Sequence, residues 1–397
     1  MKSIITSSII ASSIIAIGTV GSIGLLTQSE SNAQTPAALN PQAPYLSLQL
    51  EMENAIKTGN LYLKSVQDEK GFWKDEEIPA YTALAISAAM RDPNLAATET
   101  PEHIKPAYKW LLSMQKETGA IYGKGLATYN TATGIMALAA SGDPSHKAAI
   151  LKARAFLISQ QADYSDNPAM NKYHGGIGYG GSHPHSDMSN TYLSIEAIKL
   201  SEVYAKDTNV EKQPELDWDS ALQFISRTQN LEATNDQPGI SNDGSLNYFP
   251  GDSKAGTIKN PDGTETLRGY GSMSYAGLLS MLYADLEKDD PRVSAVTDWL
   301  NDNFTVKENP GLGQQGLYYY FNVMAKALTA ANIDTLTTKD GKKVDWRKEL
   351  SQTILSAQRE DGSWTNKNSR WWENQPELVT CYAVLTLEQI YVSIPKK

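Results

Sequence analysis

The feature that most constrains this chain is a repeated unit. Each copy has an amphipathic helix that ends near a Gln, then a turn with a Gly and an aromatic residue, then a second helix rich in small residues. One helix pair cannot bury its apolar face alone, so successive pairs must stack side by side. Six copies are recognised by the residues near the end of their first helices: Gln67, Gln115, Gln160, Gln229, Trp299–Leu300 and Gln358.

The repeat also predicts how the helices are arranged. Residues 82–90 and 131–140 are rich in Ala, Gly, Ser and Thr, so these second helices can approach one another closely and form an inner ring. The first helices carry Lys and Glu on one face and form an outer ring. Six pairs without a polar capping unit at either end favour closure over an open array. The expected fold class is therefore all-α, an (α/α)6 toroid around a central cavity.

Two copies carry a more specific motif. Residues 358–364 and 67–73 both read Q-x-x-x-G-x-W. This motif resembles the repeat of squalene cyclases and protein prenyltransferases, and the resemblance covers nearly all of residues 51–397. The stretches 269–277, 309–320 and 361–376 resemble secreted squalene-cyclase-like bacterial proteins most. The resemblance implies an (α/α)6 toroid. The Gln is expected to satisfy carbonyls at a helix end, the Gly to form a tight turn, and the Trp to pack on the next pair.

The chemistry of that family is only partly retained. Triterpene cyclases start their reaction with a carboxylic acid that lies in a D-x-D-D-T motif. The counterpart of this motif here runs from Asp187 to Thr191. Ser189 replaces the proton-donating Asp and Asn190 replaces the last one, and a serine hydroxyl is too weak an acid to protonate an alkene. Asn190–Thr191 also recurs as Asn130–Thr131, which favours a helix cap at Asn190.

The sequence predicts no metal and no cofactor. The one cysteine, Cys381, has no neighbouring His, so the zinc site of the prenyltransferases is not expected, and the C-G-E-Q context of complement-type thioesters is missing. His183, His185 and Asp187 have metal-ligand spacing, but their Gly-rich surroundings favour a surface loop. Residues 242–263 are expected to form a hairpin insertion near the cavity mouth.

In such a ring, the inner helices present their N-terminal ends, and the positive ends of their dipoles, at one mouth. The candidate catalytic residues there are Asp187, Asn190, Tyr192, Arg370 and Glu373. An ion pair with Arg370 is the alternative reading for Glu373. The candidate substrate-binding residues are Tyr81, Tyr129, Tyr275, Gln314, Gln315, Tyr319, Trp371 and Trp372.

Three functions remain open on this reading. The first is an isomerase- or cyclase-like enzyme acting on a terpenoid-type substrate, with Asp187 as the acid or base. The second is a polysaccharide lyase or glycosidase, in which Asn190, Gln314 or Arg370 would neutralise a uronate, or Asp187 and Glu373 would form a carboxylate pair. The third is a non-catalytic lipid- or glycan-binding protein.

The N-terminus and the charge bear on location and partners. An apolar run follows Lys2 and ends before Ser31-Asn32-Ala33, so residues 1–33 are predicted to be a signal peptide and residues 34–50 a flexible leader. We therefore expect export to the periplasm or the outside. An uncleaved N-terminus is the one expected route to membrane contact. A net charge of −10 argues against a nucleic-acid partner.

Overall fold

Twelve long helices alternate between two layers in the computed structural model, which describes residues 45–97, 99–180, 185–207 and 211–395. The outer helices are α1 (Leu46–Ser65), α3 (Ile104–Ser113), α5 (Lys147–Ser159), α7 (Trp218–Thr228), α9 (Pro291–Asp302) and α11 (Trp346–Ser356). The inner helices are α2 (Pro79–Met90), α4 (Ala127–Ala140), α6 (Met188–Leu200), α8 (Gly271–Tyr283), α10 (Leu317–Ala330) and α12 (Pro376–Ser393).

The inner helices form a closed ring. Each contacts the next around the ring, and α12 contacts α2, while α1 packs against both α11 and α12. All residues of α2 from Pro79 to Ala89 are buried, as are all residues of α8 from Gly271 to Leu282. The prediction of an (α/α)6 toroid with small-residue-rich inner helices is confirmed.

Short strands and single helical turns lie between the long helices of this ring. Two antiparallel hairpins pair β1 (Thr257–Lys259) with β2 (Glu265–Leu267) and β3 (Leu336–Thr337) with β4 (Lys343–Val344). Single helical turns lie at Pro144–His146, Asn171–Tyr173, Glu202–Ala205 and Arg370–Trp372. Strand β1 lies inside the insertion expected over residues 242–263, and β2 lies just beyond its predicted end, so the hairpin extends to Leu267. In the described part of the chain, no helix is both long enough and apolar enough to span a membrane.

The Gln near the end of an outer helix joins neighbouring repeats by hydrogen bonds. In the first copy, Gln67 Nε2 donates to the carbonyl oxygens of Gly71 at 3.0 Å and His103 at 2.9 Å, so one amide joins its own turn to the start of the next outer helix. Gln115, Gln161, Gln229 and Gln358 make the same pair of bonds in their copies.

The third copy corrects one prediction. The bridging residue is Gln161, not Gln160. Among the described residues, the side-chain amide of Gln160 donates only to its exposed neighbour Ser159, at 3.2 Å. The shift by one residue follows from the end of α5 at Ser159, which turns Gln161 toward the next helix. The start of the domain also differs from prediction: α1 begins at Leu46, inside the leader expected over 34–50. The predicted signal peptide, residues 1–33, lies outside the described residues.

Candidate functional site

The N-terminal ends of the inner helices meet at one face of the ring. Asn130 of α4 accepts a bond from the Ala80 amide of α2 at 2.9 Å, and Asn309 accepts one from Ser272 of α8 at 3.0 Å. These bonds between neighbouring repeats require that the inner helices start at the same end. A pocket of about 310 Å³ opens at this face, lined by Tyr179, His185, Asp187, Tyr248, Phe249, Lys254, Arg370 and Trp371.

Asp187 lies in this pocket as the N-cap of α6. Its Oδ1 accepts the backbone amide of Asn190 at 2.9 Å, and its Oδ2 accepts the side-chain amide of Asn190 at 2.8 Å. The residue is only 1% exposed. Burial raises the pKa of Asp187 to about 6, although hydrogen bonds from Asn190 and from the Tyr248 hydroxyl oppose the rise. At mildly acidic pH the group is therefore a protonated acid able to donate.

Two tyrosines stand beside this carboxyl. The hydroxyls of Tyr179 and Tyr248 are 2.8 Å apart, and the Met188 amide donates to the Tyr248 carbonyl at 2.7 Å. The second bond joins the 242–263 insertion to the start of α6. Burial, together with the nearby Asp187, holds the pKa of Tyr248 far above its usual value, so Tyr248 stays a neutral hydroxyl.

Two cations lie against aromatic rings at the same pocket. Lys254 Nζ is 4.6 Å from the ring centroid of Tyr248 and 5.6 Å from that of Phe249. The Arg370 guanidinium is 5.1 Å from the ring of Trp371. Such cation–ring contacts hold the positive groups close to an apolar surface.

The loop that carries Trp371 has an unusual backbone. Trp371 and Trp372 have φ of 54° and 63°, a left-handed conformation that costs large side chains about 1–2 kcal/mol each. The Trp371 ring packs over Gly316, where an added Cβ would come within 3.0 Å of it. This packing helps hold the strained loop and presents Trp371 to the pocket.

Comparison with known proteins rests on structure alone. The sequence matches no known family model and no curated protein. The structure resembles the type II terpene cyclase MstE from Scytonema, with a TM-score of 0.51 and 13% identity over 87% of this chain and 99% of that one. A variant of MstE in complex with its substrate geranylgeranyl dihydroxybenzoate gives the same TM-score and identity, over 88% and 100%. The chain has a type II terpene cyclase fold.

A terpene cyclase fold at 13% identity fixes the architecture, while the site must be judged from its own residues. Three predicted residues, Asp187, Arg370 and Trp371, line the pocket together. Asn190 does not cap a helix. Its side-chain amide donates a hydrogen bond to Asp187 Oδ2 and so helps to position that carboxyl. The prediction of an Asn190 cap is corrected, because Asp187 occupies that position.

Glu373 has a different role from the one expected. Its Oε1 accepts the Tyr319 amide in the first turn of α10 at 2.9 Å, and its Oε2 accepts the Asn366 side chain at 2.7 Å. The carboxyl is 1% exposed, and burial raises its pKa while these bonds lower it. Glu373 is thus committed to the N-terminus of α10, and neither a catalytic pair with Asp187 nor an ion pair with Arg370 describes its contacts.

A second group of predicted residues lies along the ring axis. Tyr129 and Tyr382 share a hydroxyl–hydroxyl bond of 2.7 Å, and Tyr319 bonds Ser189 at 3.2 Å and packs on Tyr382. Burial raises the pKa of Tyr129 to about 12, so its hydroxyl is neutral. Inner helices α4, α6, α10 and α12 therefore place polar hydroxyls on the axis of this terpene cyclase fold.

The remaining predicted residues do not line the described pocket. Tyr275 is buried against the Tyr320 ring, Tyr192 is fully buried in α6, and Tyr81 is buried in α2. Gln314 bonds the Lys307 carbonyl at 2.7 Å. Gln315 is half-buried, and Trp372 is 48% exposed.

Five pocket residues escaped the sequence prediction: Tyr179, His185, Tyr248, Phe249 and Lys254. The sequence pointed to His185 only as a possible metal ligand, and its ring packs at a tilt against Tyr173, with ring centroids 4.6 Å apart. The others lie in irregular segments outside the repeat. The pairing of Tyr248 and Phe249 inside a polar insertion was the available signal.

The described residues bear on whether the chain has a metal site. They contain no cluster of three His, Cys, Asp or Glu side chains placed to hold a metal ion. His183, one member of the predicted triplet, lies outside them. Cys381 is buried in α12, and burial raises the pKa of its thiol.

Proposed function

We propose that this protein is a proton-transfer enzyme, isomerase- or cyclase-like, that acts on a small terpenoid-type molecule held in the mouth pocket. Asp187 serves as the acid. The observation that carries the proposal is a carboxyl with 1% exposure and a pKa raised to about 6, set among Tyr248, Tyr179 and Trp371. A buried acid with a pKa near the working pH is suited to general acid catalysis.

The residues around Asp187 determine which kind of double bond it is suited to protonate. Because Ser189 and Asn190 stand where a triterpene cyclase has carboxyls, no second acid adjoins it in the motif. A single carboxyl favours the protonation of a double bond activated by a neighbouring group over that of an isolated alkene. Neutral Tyr248 would remain a hydrogen-bond donor to the substrate or to the Asp187 carboxylate left after transfer.

The pocket also favours a small molecule over a polysaccharide. Its volume of about 310 Å³ is near the lower end of the roughly 300–1,000 Å³ usual for small-ligand sites. The glycosidase alternative needs a second carboxyl beside the first, and Glu373 is held by the α10 amides instead. MstE, which has the same fold, binds a prenylated aromatic substrate.

A catalytically silent receptor is the second candidate. It is favoured by the way in which both Asp187 oxygens already stabilise the start of α6, a purely structural task. Both proposals include the export predicted from residues 1–33, which would put the ligand outside the cytoplasm.

Deuterium exchange separates the two candidates. The purified protein is incubated in D₂O with a panel of ten- to twenty-carbon terpenoid alcohols, aldehydes and acids, and products are analysed by mass spectrometry. The enzyme proposal predicts deuterium at ligand carbon, lost in Asp187→Asn. Asp217→Asn is the matched control, because Asp217 caps α7 in the same way but lies at the surface.

Each outcome decides between the candidates. Deuterium incorporation that persists in Asp187→Asn would refute the role of Asp187. Binding without incorporation would leave the receptor, and a panel in which nothing binds would overturn both.

A further inference from the structure

The mouth pocket combines two positive side chains in a protein whose net charge is −10. Lys254 reaches it from the insertion before α8, and Arg370 from the loop before α12, so segments more than a hundred residues apart bring both cations to one place. The toroid fold alone does not account for two positive side chains at a concave aromatic site.

Neither cation has an acidic partner within the part of the chain that the structure describes. Several other arginines there do have acidic partners: Arg154 pairs with Glu215 at 2.9 Å, and Arg227 pairs with Asp236 at 2.6 Å. Lys254 and Arg370 instead lie over rings that line the pocket, at 4.6 Å and 5.1 Å from the ring centroids. Their positive charges are left available to a ligand.

The one carboxyl that lines the described pocket does not cancel them. Asp187 lines the pocket, but both of its oxygens accept hydrogen bonds from Asn190 at the start of α6, and burial disfavours its charged form. The balance of charge at the mouth is consequently positive when Asp187 is protonated.

We propose that the ligand of this pocket is an amphiphilic anion. Its carboxylate or phosphate head group pairs with Lys254 and Arg370, and its apolar part lies on Tyr248, Phe249 and Trp371. This inference rests on the proposed function, since it concerns the same pocket, and it names the substrate class. A bound anion would also oppose ionisation of Asp187, keeping the acid protonated for transfer.

Calorimetric titration with matched ligands tests the head group. The probes are geraniol, geranic acid and geranyl monophosphate, which share one apolar chain. We expect at least one anion to bind tenfold or more tightly than geraniol in 50 mM salt, with the ratio shrinking in 500 mM salt because ions screen the pairing. The better anion identifies the head group as carboxylate or phosphate.

Variants locate the effect. Lys254→Met with Arg370→Met should lower the ratio of anion affinity to geraniol affinity from about tenfold to about one. Lys259→Met is the matched control, because Lys259 is exposed on β1 of the same insertion and does not line the described pocket. Circular dichroism confirms that each variant is folded.

The outcomes separate this inference from the proposed function. Equal affinity for alcohol and anions, or a preference that survives in the double variant, would overturn the anionic ligand and leave the terpenoid pocket standing. Failure of all three probes to bind would count against the pocket itself, and the inference would fall with it.

Discussion

The side-chain amide of Gln358 donates a hydrogen bond of 3.0 Å to the carbonyl oxygen of Ala55, 303 residues earlier in the chain. The same amide bonds Thr58 Oγ1 at 2.8 Å and the Gly362 carbonyl at 2.9 Å. The turn of the last repeat is thereby joined to the first outer helix, in the way that every other bridging Gln joins its turn to the next helix. The last and first repeats are therefore joined by the same kind of Gln contact that joins neighbouring repeats elsewhere in the ring.

Removing this amide should weaken the closed ring. Gln358→Ala loses two N–H donors, so we expect the free energy of unfolding to fall by about 2 kcal/mol. Gln161→Ala should cost a similar amount, whereas Gln160→Ala, one residue away, should change stability by less than about 0.5 kcal/mol. Urea denaturation followed by circular dichroism measures all three. Equal losses for Gln160 and Gln161 would contradict the bridging assignment.

The glycine of the last turn is constrained twice. Gly362 has φ of +85°, and an added Cβ would lie 2.5 Å from the Thr58 carbonyl oxygen. Gly341 has a similar φ of +80° with open space around it, so it isolates the conformational cost. We expect Gly341→Ala to cost about 1 kcal/mol and Gly362→Ala about 3 kcal/mol or more. Thermal and chemical denaturation report the difference, and equal effects would argue against the close contact.

Asp187 should make stability depend on pH. Its pKa is raised from 3.8 to about 6, so the folded protein holds a proton that the unfolded chain has released. The associated stability is complete below about pH 4 and lost as the pH rises through 6. Relative to Asp187→Asn, the wild type should therefore lose about 3 kcal/mol between pH 3.5 and 7.5. Unfolding curves that stay parallel across this range would show that the pKa is unshifted.

Glu388 is the second buried acid to test. Both of its oxygens are buried without a hydrogen-bond partner among the described residues, and burial raises its pKa well above the usual value, while Arg91 opposes the rise. Because the raised pKa makes ionisation unfavourable in the folded state, stability falls as the pH rises above about 4.5. Glu388→Gln should be more stable than wild type at pH 8 and similar to it at pH 4. The exposed Glu360→Gln is the control, and matching behaviour of the two variants would contradict the prediction.

The architecture was predictable because its signals are local and repeated. Gln67, Gly71 and Trp73 lie close together in sequence, and Gln67, Gln115 and Gln358 each bond the carbonyl of a Gly four residues later. Gln161 and Gln229 bond glycines 14 and 15 residues later, across longer loops. The placement of Asp187, Arg370 and Trp371 at the mouth followed from the same register, since each lies at or just before an inner helix.

Other residues of the site carried no such signal. Tyr248 and Lys254 belong to an insertion without periodicity, and only its packing on Met188 brings them over Asp187. Gln160 and Gln161 are adjacent, so sequence alone cannot tell which one turns inward where a helix ends. Glu373 looked like a free carboxyl in a loop, and its bond to the Tyr319 amide depends on the position of another repeat.

The amino-acid sequence by itself determined that six helix pairs would stack, that their small-residue helices would face inward, and that one acid would sit at an inner helix start. Those outcomes depend on residue types within a single helix pair, and the same types recur in successive copies. The tertiary structure alone decided what surrounds that acid, because aromatic rings and cations from distant, irregular segments meet only when the ring has closed. Burial then changes the acid's chemistry, since desolvation is a property of the assembled pocket and not of any one stretch of chain.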